Sequence, residues 1–74
     1  MTRIEGVIRT VHDRAACVGG AIRPDNLASM VTSSDGDRVV TAVEGHRLRS
    51  VIASVDDYLM NLGIAEEICT LASD

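Results

Sequence analysis

The 74-residue chain carries seven arginines, no lysine and eleven carboxylates, for a net charge of −4. That balance argues against a stand-alone nucleic-acid binder, which shows a basic stripe. Its apolar fraction is 46%, but eight of those residues are alanine and Tyr58 is the only aromatic. The core is therefore aliphatic and thin, and residues 1–74 leave room for a single small domain.

In chain order, residues 3–11 read as a strand. Ile4, Gly6, Ile8 and Thr10 share one face, and Ile4 and Ile8 are expected to meet the helices. Asp13 is placed as the N-cap of a helix ending at Ile22, because a residue preceding proline is pushed out of the α region and Pro24 follows. Ala15, Val18 and Ile22 form its inner stripe; Ala16, Gly19 and Gly20 form its outer side. The glycines either let another backbone approach closely or simply weaken the helix. Arg23-Pro24-Asp25-Asn26 is a turn. Ser29–Ser34 is a short polar strand, Asp35-Gly36 supplies the positive φ of a hairpin, and Arg38–Glu44 is the partner strand. Val39 and Val43 share one of its faces, Val40 and Ala42 the other, and the pattern alone does not choose between them.

The last third is a long helix. Leu48, Val51, Ile52, Val55, Tyr58, Leu59, Leu62 and Ala65 occupy one broad face. Met60, Ile64, Ile68 and Leu71 lie opposite. Either the helix bends near Gly63 or it runs on and shows a second apolar stripe outward. Strand, helix, strand, strand, helix makes an α+β domain, with both helices on one face of a three-stranded antiparallel sheet. Free sheet edges and a thin core without obvious staples favour a homodimer with a joined sheet. The outward sides of the helices form a surface for a partner's helices, carried by Ala16, Gly20, Arg23, Ala53, Asp57, Met60 and Ile64.

Catalytic, cofactor and metal sites are not expected. No Cys/His set has zinc spacing. Asp56 and Asp57 are adjacent, so they point about 100° apart on a helix and cannot work as a paired acid and base. Cys17 has no activating base, and neither Gly19-Gly20 nor Asp35-Gly36 is a phosphate loop. His12 and His46 are the only histidines; His46, at a strand-to-helix junction, is placed to orient a ligand, but such a residue is far more often solvated or caps an element. The N-terminal MTRIEGVIRT lacks the apolar stretch of a secretory signal. No apolar run approaches the roughly 20 residues of a membrane span. With only Cys17 and Cys69, the chain reads as cytoplasmic with reduced thiols.

The order Ile22-Arg23-Pro24-Asp25-Asn26, Met30, the Asp-Gly hairpin and a helix with Val55-Asp56-Asp57-Tyr58-Leu59 resembles the small dimerising subunit of the KEOPS complex, in its short archaeal form. The similarity covers about residues 3–70; the Gly19-Gly20 pair and Gly63 depart from the pattern. The resemblance implies a non-catalytic scaffold in the complex that makes threonylcarbamoyl-adenosine in transfer RNA. It further implies a homodimer joined through its sheets, with each protomer's two helices binding the catalytic transferase subunit; the resemblance leaves contact with transfer RNA open, and the acidic charge argues that transfer RNA is met indirectly at most. Two other classes compete. A small RNA-binding module would need basic surface and stacking aromatics, and a small-ligand regulatory domain would need a pocket this core is too small to supply.

Overall fold

Alternation at period two builds the sheet. The computed structural model describes residues 2–27 and 29–72, with β1 over Ile4–Val11, β2 over Met30–Asp35 and β3 over Arg38–Gly45. The strand order is β1-β3-β2, and both pairings are antiparallel. Helices α1 (Ala15–Ile22) and α2 (Leu48–Ala72) cover one face, giving the expected α+β architecture. Ile4, Gly6, Ile8 and Thr10 are half-buried on that face, and every other β1 residue is exposed. On β3 the inward residues are Val39, Thr41 and Val43, which answers the question its alternation left open. A two-residue turn, Gly36-Asp37, joins β2 to β3, with Gly36 in the left-handed region at φ +61°. Only glycine adopts that angle without strain from a Cβ.

The expected details of α1 need three corrections. Asp13 does not cap it; Arg14 holds the N-cap position and no side chain caps the first turn. Gly19 is not on the outer side but buried, where a Cβ would stand 3.5 Å from the Cβ of Ser34 on β2. The close approach imagined for the glycines therefore belongs to Gly19 and to the chain's own sheet. Arg23 keeps helical dihedrals before Pro24 (φ −53°, ψ −44°), and the chain tightens into a 3-10 turn over Arg23–Asp25. Proline is tolerated there because first-turn amides have no helical acceptor to lose.

α2 runs unbroken through Gly63. Its packed seam is Val51, Val55, Tyr58, Leu62, Ala65 and Cys69, spaced four and three residues apart. The broad inner face expected from the sequence is narrower than this periodicity suggested. Leu48, Ile52 and Leu59 are exposed at 61%, 51% and 47%. The reason is dimensional: 25 helical residues span about 37 Å, an eight-residue strand about 26 Å, and α1 is too short to flank the remainder. One seam is all the sheet and α1 can cover.

A line of polar side chains crosses the core. Asn26 Nδ2 donates to Thr32 Oγ1 (2.6 Å), Thr32 and Thr41 hydroxyls bond at 2.8 Å, and Thr41 Oγ1 donates to the Tyr58 hydroxyl at 2.6 Å. Thr41 has one proton and gives it to Tyr58, so the Thr32 proton goes to Thr41 and the line has one direction. Thr32, Thr41 and Tyr58 are buried, and no buried polar side-chain atom among the described residues lacks a partner.

Cys17 and Cys69 are joined by a disulfide, with Cα atoms 6.0 Å apart. The expectation of reduced thiols is corrected, and so is that of a chain without staples. The bridge closes a loop of 52 residues, which on loop entropy is worth about 4 kcal/mol. That is comparable to what so small a core supplies by itself.

The tightest point is the entry to α2. A Cβ on Gly45 would lie 2.7 Å from Val51 Cγ2. Valine has no flexible end to swing aside, so Gly45→Ala should push the first turn of α2 off the sheet. The expected cost is about 1–3 kcal/mol, read as a lowered thermal midpoint.

Candidate interaction surfaces

The apolar residues that the core does not take form the first surface. Met60, Ile64, Ile68 and Leu71 are 51–70% exposed along the outward side of α2. Asp57 and Ala53 continue this line one and two turns earlier and are exposed too. On α1, Ala16, Gly20 and Arg23 are exposed. They do not all share one patch with the α2 stripe. Arg23 turns to the sheet edge, where its Nε donates to the carbonyl of Thr32 at 3.1 Å. Cys17, bonded to Cys69, marks the flank of α1 that meets α2. On a helical wheel Ala16 and Gly20 fall between those two flanks, on the solvent side. A Cβ on Gly20 would meet nothing within 4 Å.

The second surface is a sheet edge. Glu44 N–H donates to the Ser29 carbonyl, so even-numbered β3 residues direct their backbone groups at β2 and odd-numbered ones at β1. Ladder geometry then leaves the N–H and C=O groups of Glu5, Val7, Arg9 and Val11 pointing outward from β1. The β2 edge is partly covered by its own connection: Met30 N–H donates to Leu27 O, and Arg23 takes Thr32 O. The β1 edge has no such cover among the described residues. An uncovered edge of this length is a template for another strand.

The third is the sheet face away from the helices. Val7, Ala42 and Val31 form one row across the three strands. They floor an open concavity of about 580 Å³ that Glu5 and Glu44 border. Arg3 bridges those two carboxylates, with Nε 2.9 Å from Glu5 Oε1 and a second contact from Nη2 to Glu44. The Glu44 hydrogen bond, then both negative charges, hold the guanidinium above its ordinary pKa. Arg9, on the same face, has no ion-pair partner among the described residues.

His12 is buried at 5% exposure. Its Nδ1 lies 2.8 Å from Glu66 Oε2 and its Nε2 lies 2.6 Å from Thr10 Oγ1. A carboxylate only accepts, so Nδ1 carries a proton. Hydroxyl, imidazole and carboxylate stand in the order of a nucleophile relay. The adjacent cavity, about 100 Å³, is lined by His12, Glu66, Cys69 and Thr70 but not by Thr10. The open space thus lies on the carboxylate side, away from the hydroxyl, and the trio works as a clamp between β1 and α2. Nothing in the sequence pattern marked it, because Thr10 and Glu66 lie on elements whose approach depends on the whole fold.

Among the described residues no three His, Cys, Asp or Glu side chains converge to hold a metal ion. No helix among them is long and apolar enough to cross a membrane. No protein-family model matches this chain, and no curated protein is similar to it.

Proposed function

We infer that this chain is a non-catalytic interaction subunit that dimerises through β1 and offers the outward side of its helices to a larger partner. The α2 stripe carries the reading. A helix already anchored along one seam keeps four large apolar side chains at least half exposed on the other side. Burying the rest of each is worth on the order of 1 kcal/mol or a little more, about 5 kcal/mol in all. Association costs roughly 4–15 kcal/mol, so the stripe needs company. The small residues Ala16 and Gly20 on α1, and a second copy doubling the surface, would provide it.

Charge favours one register for the dimer. Pairing β1 with a second β1 about Val7 sets Glu5 opposite the partner's Arg9, and the partner's Glu5 opposite Arg9. Shifting the centre by one residue toward the N-terminus sets Arg3 against the partner's Arg9; shifting it by two either way sets Glu5 against itself or Arg9 against itself. Of these registers the Val7-centred pairing is the one that makes opposite-charge pairs, and it also uses the outward backbone groups of β1 along most of its length. Sedimentation equilibrium at micromolar concentration should give a dimer; a clean 7.9 kDa monomer would sink the reading. Arg9→Glu or Glu5→Arg alone should weaken dimerisation roughly tenfold to a hundredfold, and the two together should restore it.

The resemblance to the small KEOPS subunit supplies a specific partner: the transferase that forms threonylcarbamoyl-adenosine in transfer RNA. At a net charge of −4, this subunit would meet transfer RNA indirectly at most. A cytoplasmic setting would require the disulfide to persist there, as happens in intracellular proteins of hyperthermophiles. A pull-down from native extract tests the assignment. Recovery of a kinase-like and a transferase subunit supports it; recovery of transfer RNA alone would favour the RNA-binding alternative.

A further inference from the structure

We propose that Cys17–Cys69 is a thiol–disulfide exchange site that latches the distal end of α2, and that a dithiol reductant is its reactant. The two sulfurs sit in unlike surroundings. Cys17 is an exposed residue on α1, whereas Cys69 is 1% exposed and is the last residue of the α2 seam. An incoming thiolate therefore meets the Cys17 sulfur first. Attack there forms a mixed disulfide on Cys17 and breaks the Cys17–Cys69 bond. The electron pair leaves on Cys69 Sγ, which takes a proton from water in the small cavity that it lines with His12 and Glu66. The second thiol of the dithiol then attacks its own bound sulfur and expels Cys17. The reductant departs as an internal disulfide, having given two electrons to the protein's two cysteines.

What the latch holds follows from the rest of α2. Among the described residues beyond Gly63 the buried ones are Ala65 and Cys69, and the Glu66–His12 bond is a further tether to the domain. Ile64, Glu67, Ile68 and Leu71 are exposed. This stretch is a poor helix by itself. Gly63 at its start is an unfavourable helix residue, and Glu66 and Glu67 sit toward the negative end of the helix dipole with no basic residue in the last turn. Reduction should therefore fray α2 beyond Gly63 and leave the sheet folded, a local opening rather than a global one. The consequence for binding rests on the two-helix reading above, since fraying would remove Ile64, Ile68 and Leu71 from the stripe.

Amide hydrogen exchange on the full chain tests the latch without any partner, so its failure is separate from failure of that reading. The disulfide form, the form treated with dithiothreitol, and Cys17→Ser are compared. Amides 64–72 should exchange at least tenfold faster in the reduced form and in Cys17→Ser, those of β3 should stay within about twofold, and oxidised glutathione should restore the treated protein. Cys17 is exposed, so serine leaves no buried hydroxyl there. Three results would overturn the proposal: a bridge that dithiothreitol cannot open in folded protein, equal exchange in all three forms, or protection lost across β3 together with α2.

Discussion

Tyr58→Ala is expected to cost about 3–5 kcal/mol, because the ring is 3% exposed at the centre of the α2 seam and its removal leaves a cavity. For a domain of this size that corresponds to a fall in thermal midpoint of roughly 15–30 °C. Tyr58→Phe separates the ring from its hydroxyl. Phenylalanine fills the space but leaves the Thr41 proton without its acceptor. An unmet buried donor costs about 1–3 kcal/mol, so Phe should fall between wild type and Ala. Thermal unfolding of the three proteins, all with the disulfide intact, decides it. A midpoint for Ala within a degree or two of wild type would mean that the ring does not organise the core.

Met60→Asp should abolish partner binding and leave fold and dimer intact. Met60 is 60% exposed and belongs to the outward stripe. A carboxylate there stays hydrated in the free protein, and such surface changes shift stability by no more than about 0.5 kcal/mol. In a helix–helix contact it would be buried without a partner. The expected loss in affinity for the transferase subunit is at least about 100-fold, or about 2.8 kcal/mol. Val55→Asp is the contrast, since it puts a charge into the seam and should unfold the domain. Calorimetric titration and thermal unfolding of both variants read the two effects separately. A Met60→Asp protein that folds and binds normally would move the docking surface to the open face of the sheet.

The strands and both helices were legible in the sequence because each keeps one period throughout. Ile4, Gly6, Ile8 and Thr10 alternate cleanly, and Val51 to Cys69 hold a three-four spacing. Properties that depend on two elements meeting were not legible. The inward side of β3 follows from where the helices lie, and the fate of Leu48, Ile52 and Leu59 follows from how little sheet there is to cover them. The disulfide was missed for a related reason. Cys17 and Cys69 come together only if α2 continues past Gly63 far enough to reach α1, and the sequence allowed a bend there. The outward stripe could be drawn on a wheel, whereas the choice of β1 as the open edge needed the strand order and the cover that Leu27 and Arg23 give to β2.

The strand order also sets a folding sequence. β2, β3 and α2 are consecutive, joined by the two-residue turn at Gly36-Asp37 and by His46-Arg47. They can assemble with little loop-closure entropy. β1 must instead find β3 across 27 positions at Val11–Arg38 and 41 at Ile4–Gly45. Non-local pairing of this kind is slow, so β1 should dock last, onto a β3 edge left vacant by the nucleus. In concentrated solution a neighbour's β1 competes for that vacancy, and the product is a strand-swapped dimer with the same ladder contacts as the monomer. Refolding by dilution from denaturant should therefore give a larger swapped fraction as protein concentration rises.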